Sequence, residues 1–215
     1  MKRFIFGLAL VIGMSLRVTA AEPKVLYEQN FDKAEVDKVP DDMLVLEGAF
    51  AVREEGGNRF LELPGAPLET YGLLFGPTET NGIAVQARFH GTLKGRRFPT
   101  FGVGLNGVGG YRLQVSPGKK MLELYKGDEV LASAPLVWET GAWTMLRLQA
   151  RRASDGDLKL EGKAWKQGIP EPKGWTVMQS DKTGAPAGRP SLWASPFAGT
   201  PIRFDDLKIS KAVDP

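Results

Sequence analysis

The sequence predicts an all-β domain, built as a sandwich or a barrel. Short segments that alternate apolar and polar residues follow one another along the chain, and turn residues separate them. Glycine and proline are frequent, with 26 and 15 residues, and no stretch repeats its apolar residues at the three-to-four spacing of a helix. Many short strands joined by such turns, without a break in composition, indicate one β domain.

The predicted strands cover most of the chain between residues 25 and 209. They are 25–31, 44–52, 60–63, 71–75, 83–90, 100–105, 111–115, 121–125, 130–135, 143–152, 158–165, 175–180, 190–194 and 202–209. The segments between them carry turn residues, for example the glycines of 107–110 and the Pro117-Gly118 pair. Because the series contains no internal repeat, we expect one domain rather than an array.

The N-terminus has the features of a cleaved export signal. Two basic residues open the chain, an apolar run covers 4–16, and small residues suited to a signal peptidase follow at 18–20. Arg17 ends the apolar run short of the roughly 20 residues that a membrane span requires. We therefore expect residues 1–21 to be a signal peptide and 22–215 to be a secreted or periplasmic domain, without a membrane span after cleavage.

Charge and composition exclude several classes of function. Three of the 28 basic residues lie in the predicted signal, so the mature chain has 25 basic and 25 acidic residues. This balance lacks the basic excess of a nucleic-acid-binding protein, and we expect no nucleic acid partner. The chain has no cysteine and a single histidine, His90, which excludes thiol chemistry and multi-histidine metal sites.

Alternation also predicts which side chains face outward, because successive residues of a strand point to opposite faces. The candidate ligand-binding residues are Gln86, Arg88, His90, Asn106, Arg112, Gln114, Glu123, Tyr125 and Arg147, together with Gln149. If their strands are neighbours, these residues form one polar surface, with Gly102 and Gly104 leaving room in its middle. Planar amide, guanidinium and aromatic groups suit sugars, whereas a solvated face with cross-strand ion pairs is the alternative. Trp143 and Trp193 are expected to be packing residues.

Three stretches carry a resemblance to a known family. They are the opening 27–32, the segment from Gly141-Ala142-Trp143 to Trp175, and 188–194 leading into Phe204-Asp205-Asp206-Leu207-Lys208-Ile209. In this order they resemble the concanavalin A-like lectin/glucanase superfamily, which includes laminin G-like modules, family 16 glycoside hydrolases and 3-keto-disaccharide hydrolase-type domains. The resemblance covers nearly the whole mature chain and implies a two-sheet antiparallel jelly-roll sandwich with a concave, ligand-facing sheet.

The catalytic residues of these relatives are not found in the sequence. Family 16 enzymes use two glutamates around an aspartate on one strand, and no such triplet is present. The segment 110–115 is similar to the Gly-Tyr-Glu-x-Gln strand of the 3-keto-disaccharide hydrolase type, but Arg112 replaces the acidic residue. We therefore expect a non-catalytic carbohydrate- or glycan-binding module. The alternatives are a sugar-active hydrolase, with Glu123 and His90 as its acid/base groups, and an envelope domain that binds a protein partner.

The resemblance also implies a structural calcium ion, although no cofactor is required. In several relatives the aspartate that begins this stretch of the last strand binds calcium with backbone carbonyl groups of the first strand. The matching residue is Asp205, and hard oxygen ligands of this kind suit calcium. The alternative is that Asp205 and Asp206 cap backbone groups or pair with Arg203 or Lys208.

Overall fold

A computed structural model describes residues 23–66, 69–154 and 156–212. The predicted signal peptide, 1–21, lies outside the described residues. Throughout the described ranges the secondary structure consists of β-strands arranged in two antiparallel sheets, without a helix. Accordingly, this part of the chain offers no helix with the length and apolar character needed to span a bilayer.

The strands agree closely with the segments that alternation predicts. Their bounds are β1 Val25–Gln29, β2 Leu44–Glu47, β3 Ala51–Glu55, β4 Asn58–Leu63, β5 Tyr71–Leu74, β6 Ile83–His90, β7 Thr100–Leu105, β8 Tyr111–Ser116, β9 Met121–Lys126, β10 Glu129–Pro135, β11 Thr144–Arg152, β12 Leu158–Lys166, β13 Val177–Asp181, β14 Ser191–Ser195 and β15 Ile202–Lys211. One prediction is wrong, because the segment 44–52 forms two strands. Gly48 separates them at φ 113°, a conformation that glycine adopts without a steric penalty.

The chain crosses between the two sheets several times, so each sheet combines strands from distant parts of the sequence. The eight-stranded sheet has the order β13-β12-β11-β6-β15-β4-β3, and β1 also pairs with β15. The seven-stranded sheet has the order β10-β9-β8-β7-β14-β5-β2. The break at Gly48 therefore marks a crossing from one sheet to the other, since β2 and β3 belong to different sheets. This arrangement confirms the predicted all-β, two-sheet antiparallel jelly-roll sandwich.

The hydrophobic core lies between the two sheets. Phe89 of β6 and Phe101 of β7 stack across the interface with their ring centres 5.1 Å apart, and Phe204 of β15 meets Phe89 edge-on at 5.4 Å. All three side chains are fully buried. Each strand thus contributes alternate residues to the core, and the residues between them form the two outer faces of the sandwich.

Candidate functional site

The predicted polar residues lie on two opposite outer faces of the sandwich. Gln86, Arg88 and His90 belong to β6 and Arg147 to β11 of the eight-stranded sheet, whereas Arg112, Gln114, Glu123 and Tyr125 belong to β8 and β9 of the seven-stranded sheet. The prediction of one continuous surface is therefore wrong. Alternation assigned these eight side chains to the outside correctly, but it does not tell which strands are neighbours.

Asn106 belongs to neither face. It follows β7 at φ 66° and is 4% exposed. Its side-chain amide donates hydrogen bonds to the carbonyl oxygens of Glu79, Thr80 and Pro186, at 3.2, 2.8 and 3.0 Å. Asn106 therefore joins two loops at the end of the sheet, which is a structural role.

The outer face of the eight-stranded sheet is occupied by ion pairs. Arg147 pairs with Glu171 at 3.1 Å, and Lys163 pairs with the same carboxylate at 2.7 Å. Gln149 and Arg151 both donate to Glu161, at 2.6 and 2.9 Å. This pattern agrees with the alternative interpretation of the polar residues, a face stabilised by cross-strand ion pairs.

His90 contributes to the same face. Its Nε2 lies 3.1 Å from the carbonyl oxygen of Gly141, and its ring centre lies 5.4 Å from that of Trp143. Burial lowers the pKa of His90, and the nearby guanidinium of Arg203 lowers it further. His90 is therefore a neutral, packed side chain at neutral pH. Trp143 packs on this outer face, under the guanidinium of Arg88 at 4.6 Å, and not in the core between the sheets.

Asp205 is fully buried and is surrounded by hydrogen-bond donors. Its Oδ2 accepts from Arg88 at 2.6 Å and from the Asn58 amide at 3.1 Å, and its Oδ1 accepts from the backbone N–H of Asp206 at 2.7 Å. Calcium requires six to eight oxygen ligands, whereas these partners present nitrogen donors and one positive charge. The surroundings of Asp205 therefore do not fit a calcium ion. The predicted calcium stays a prediction without structural support.

The outer face of the seven-stranded sheet, named here the pocket face, is shaped by glycine. Gly72 lies beside Trp193 in the register of β5 and β14, and Gly102 lies beside it on β7. A Cβ atom on Gly72 would come within 2.8 Å of the Trp193 ring, and one on Gly104 within 2.3 Å of Ser191 Oγ. The missing side chains leave room for Trp193 to lie over its neighbours. Its indole N–H donates to Ser191 Oγ at 2.8 Å.

Arg112 lies between two aromatic rings on the pocket face. Its guanidinium carbon lies 4.7 Å from the ring centre of Tyr125 and 5.8 Å from that of Trp193. Tyr125 is its partner on β9, and Gly104 is its partner on β7. Because Gly104 has no side chain, Arg112 and Trp193 approach each other across β7. The result is a planar, partly aromatic surface with a cation in its middle.

Glu123 is held by three donors beside this surface. Its carboxylate accepts from Ser116 Oγ at 2.6 Å, from Tyr125 Oη at 3.0 Å and from Lys119 Nζ at 3.0 Å. Burial alone raises the pKa of Glu123, but the hydrogen bonds from Ser116, Lys119 and Tyr125 outweigh burial, so the pKa lies below its usual range. Gln114 extends the network by donating to Ser116 Oγ at 3.0 Å.

A pocket of about 770 Å³ opens on this face. Its floor comes from β7, β8 and β14, and its walls come from the loops that precede β5 and β7, join β8 to β9 and follow β14. The lining residues are Thr70, Arg97, Phe98, Thr100, Arg112, Gln114, Ser116, Gly118, Lys119, Ser195 and Phe197. The hydroxyl groups of Thr70 and Ser195 are 2.7 Å apart, within hydrogen-bonding distance. Volume and lining are those of a small-molecule site.

The sequence predicted only part of this pocket. Arg112 and Gln114 were expected on it, but the residues from loops and from β14 were missed. Trp193 was expected to pack in the core because Leu192 and Ala194 surround it, yet these neighbours face inward and Trp193 faces outward. Strict alternation over 191–195 would have predicted its direction. The loop residues Arg97 and Phe197 left no comparable signal, since no periodicity relates a loop to a strand face.

Comparison with known proteins rests on structure. No protein-family model matches this sequence, and no curated protein does. The carbohydrate recognition domain of Emp47p has a TM-score of 0.61 at 12% identity, over 91% of this chain and 100% of its own. The carbohydrate-binding module CBM66 from Bacillus subtilis has a TM-score of 0.55 at 10% identity, over 79% of this chain and 96% of its own. A protein of unknown function with a galectin-like fold, from Bacillus subtilis, has a TM-score of 0.58 at 11% identity, over 91% of this chain and 99% of its own.

The chain has the two-sheet jelly-roll fold of these three solved proteins. The concanavalin A-like resemblance of the sequence is thus confirmed at the level of the fold. Identities of 10–12% carry no residue-by-residue equivalence. Glu123 lies on the pocket face and His90 on the opposite face, so the two groups cannot act on one substrate as an acid/base pair.

Proposed function

We propose that this chain is an exported, non-catalytic domain that binds a saccharide in the pocket on its seven-stranded sheet. The observation that carries the proposal is the surface formed by Arg112, Tyr125 and Trp193 beside an open pocket that combines apolar walls with polar groups. A sugar presents hydroxyl groups around its edge and apolar C–H groups on its faces. The surface offers groups suited to both.

The polar residues of the pocket match the edge of a sugar ring. Arg112 and Gln114 supply N–H donors, and the hydroxyl groups of Thr70, Thr100 and Ser195 both donate and accept. Phe98 and Phe197 supply apolar walls against which C–H groups pack. A few polar groups that converge within apolar walls are the usual composition of a binding pocket.

The solved relatives support this proposal through their fold. Two of them are described as a carbohydrate recognition domain and a carbohydrate-binding module, and this chain covers 96% or more of each. The identities are too low to transfer a ligand or a binding residue. The choice of the pocket face therefore rests on the geometry of this chain.

The surroundings of Glu123 favour binding over catalysis. A general acid must hold a proton near neutral pH, which requires a raised pKa. The pKa of Glu123 is instead lowered by its three donors, after these overcome the effect of burial. All three donors belong to the protein, so the carboxylate is a structural acceptor at the edge of the pocket.

A thermal melt of the purified protein with a panel of neutral and acidic oligosaccharides tests the proposal. A ligand present at a hundred times its Kd stabilises the native state by about 2.7 kcal/mol, which raises the Tm of a domain of this size by about 5–10 °C. Arg112→Ala should abolish the rise. Arg53→Ala is the matched control, because Arg53 lies on β3 of the other sheet and pairs with Asp37.

The result also separates glycan binding from the protein-interaction alternative. A rise in Tm that Arg112→Ala removes and Arg53→Ala preserves supports the saccharide pocket. If no saccharide in the panel shifts the Tm at millimolar concentration, the proposal is wrong. An envelope domain that binds a protein partner is then the better interpretation.

A further inference from the structure

The charges of the pocket are unevenly balanced. Arg97, Arg112 and Lys119 line it, and none of its described lining residues carries a carboxylate. Lys119 is paired with Glu123 at 3.0 Å. Within the described ranges, neither Arg97 nor Arg112 forms an ion pair with an acidic side chain. Since the whole chain has a net charge of only +3, these two cations are a local excess at the pocket.

Arg112 is the more unusual of the two cations. Its Nε is buried without a hydrogen-bond partner in the described structure, as are those of Arg88 and Arg147, but its guanidinium meets the rings of Tyr125 and Trp193 where theirs meet carboxylates. Glu123 and Asp128 act on it only at a distance, without a direct contact. Burial lowers the pKa of Arg112, which reflects the loss of water around its charge. Partial burial of a cation is costly unless an anion accompanies it.

Other arginines on the domain are compensated in the expected way. Arg88 pairs with Asp205 and Asp206, at 2.6 and 3.0 Å, and Arg147 pairs with Glu171. Arg112 has comparable surroundings on the opposite sheet but faces a cavity where those arginines face carboxylates. The cavity is therefore the place from which its counter-charge can come.

We propose that the pocket takes an acidic saccharide, whose carboxylate or sulfate group pairs with Arg112 and Arg97. The inference rests on the proposed function and specifies its ligand class. A guanidinium offers a planar fork of N–H donors that matches the oxygens of either anion. Arg112 contributes this fork from the floor of the pocket and Arg97 contributes a second one from the loop before β7.

Matched pairs of ligands test the charge requirement by isothermal titration calorimetry. The first pairs are the trisaccharides of galacturonic acid and of mannuronic acid, each with its fully methyl-esterified form, which has the same stereochemistry without the charge. The second pair is a sulfated galactose trisaccharide and its desulfated form. The two kinds of pair distinguish a carboxylate from a sulfate. We expect at least one acidic ligand to bind about tenfold or more tightly than its neutral partner, because hydrogen bonds to charged groups are the stronger ones.

Three variants locate the interaction. Arg112→Gln and Arg97→Gln should each weaken binding of the acidic ligand by about tenfold or more. They should change binding of a neutral saccharide much less. Arg97 lies in a loop outside the sheet floor, so its variant keeps the test valid if Arg112→Gln proves unstable. Arg53→Gln, which removes one exposed arginine from the other sheet, should have no effect.

The possible outcomes separate this inference from the proposed function. Tighter binding of an acidic ligand that is lost in both pocket variants, and is weakened by salt, supports the inference. Equal or tighter binding of the neutral partners overturns the acidic class but leaves the saccharide pocket in place. Absence of binding for every pair, neutral and charged, overturns both.

Discussion

The guanidinium carbon of Arg112 lies 5.8 Å from the ring centre of Trp193, although a whole strand separates their own strands. Arg112 belongs to β8 and Trp193 to β14, with β7 between them. The two outward positions of β7 that they meet are Gly104 and Gly102. Without side chains there, two residues that are not strand neighbours form one surface. The surface therefore depends on the missing side chains of Gly102 and Gly104 as much as on the side chains of Arg112 and Trp193.

Adding a methyl group to β7 should destabilise the sheet. In Gly102→Ala the new Cβ would lie 2.4 Å from the carbonyl oxygen of Leu113, so backbone must move. We expect a loss of about 2 kcal/mol in the free energy of unfolding, as overpacking typically costs. Urea denaturation measures it. Gly109→Ala is the control, because no atom lies within 4 Å of its added Cβ, and a similar loss in both variants would contradict the steric explanation.

Removing the indole should weaken ligand binding on the pocket face alone. Trp193→Ala removes one ring from the side of Arg112 and should lower the affinity for any saccharide that binds there by about tenfold, as loss of a stacking contact does. Titration calorimetry measures the change. Trp175→Ala is the matched control, since Lys163 lies 4.4 Å from its ring centre on the opposite sheet. Equal weakening by both variants would place the site elsewhere.

The stabilising effect of Glu123 should depend on pH in a defined direction. Its folded-state pKa is lowered, so it stabilises the fold above its unfolded pKa of about 4.3, and the contribution is lost as pH falls through the folded value. At pH 7 Glu123→Gln should cost about 1–3 kcal/mol, because it replaces charged hydrogen bonds to the buried Ser116 and Tyr125. Urea denaturation at neutral and at strongly acidic pH measures the difference in the free energy of unfolding between the variant and the unaltered protein. A difference that stays constant across this range would show that Glu123 has the same pKa in the folded and unfolded states, which would contradict the lowered folded-state pKa.

Asp205 should stabilise the fold through Arg88 and not through calcium. Asp205→Ala leaves the partly buried Arg88 with only the exposed Asp206 as partner, and we expect a loss of about 3 kcal/mol, in the range measured for broken buried pairs. Asp206→Ala should cost less, because its side chain is 47% exposed. Thermal melts with calcium and with a chelator should coincide for the unaltered chain. A calcium-dependent rise in Tm that Asp205→Ala removes would instead establish the ion site.

Strand positions were predictable because alternation is a local property. β6 and β7 have the bounds that the sequence predicts, and the inward direction of Phe89 and Phe101 follows from the same pattern. The predicted strand 44–52 failed because apolar residues continue through a point where the chain changes sheet. Gly48 was the only local sign of this crossing, and a single glycine does not distinguish a crossing from a bulge.

By itself, the sequence determined the fold class, the outward direction of Arg112, Gln114, Glu123 and Tyr125, and the space left by Gly102 and Gly104. Only the tertiary structure decided that β6 and β11 lie on the opposite sheet, that Arg97 lines the pocket, and that Trp193 lies beside it against Arg112. The physical reason is that side-chain direction follows from neighbouring residues along one strand. Strand order, in contrast, follows from hydrogen bonds between segments far apart in the chain, which leave no periodic trace in the sequence.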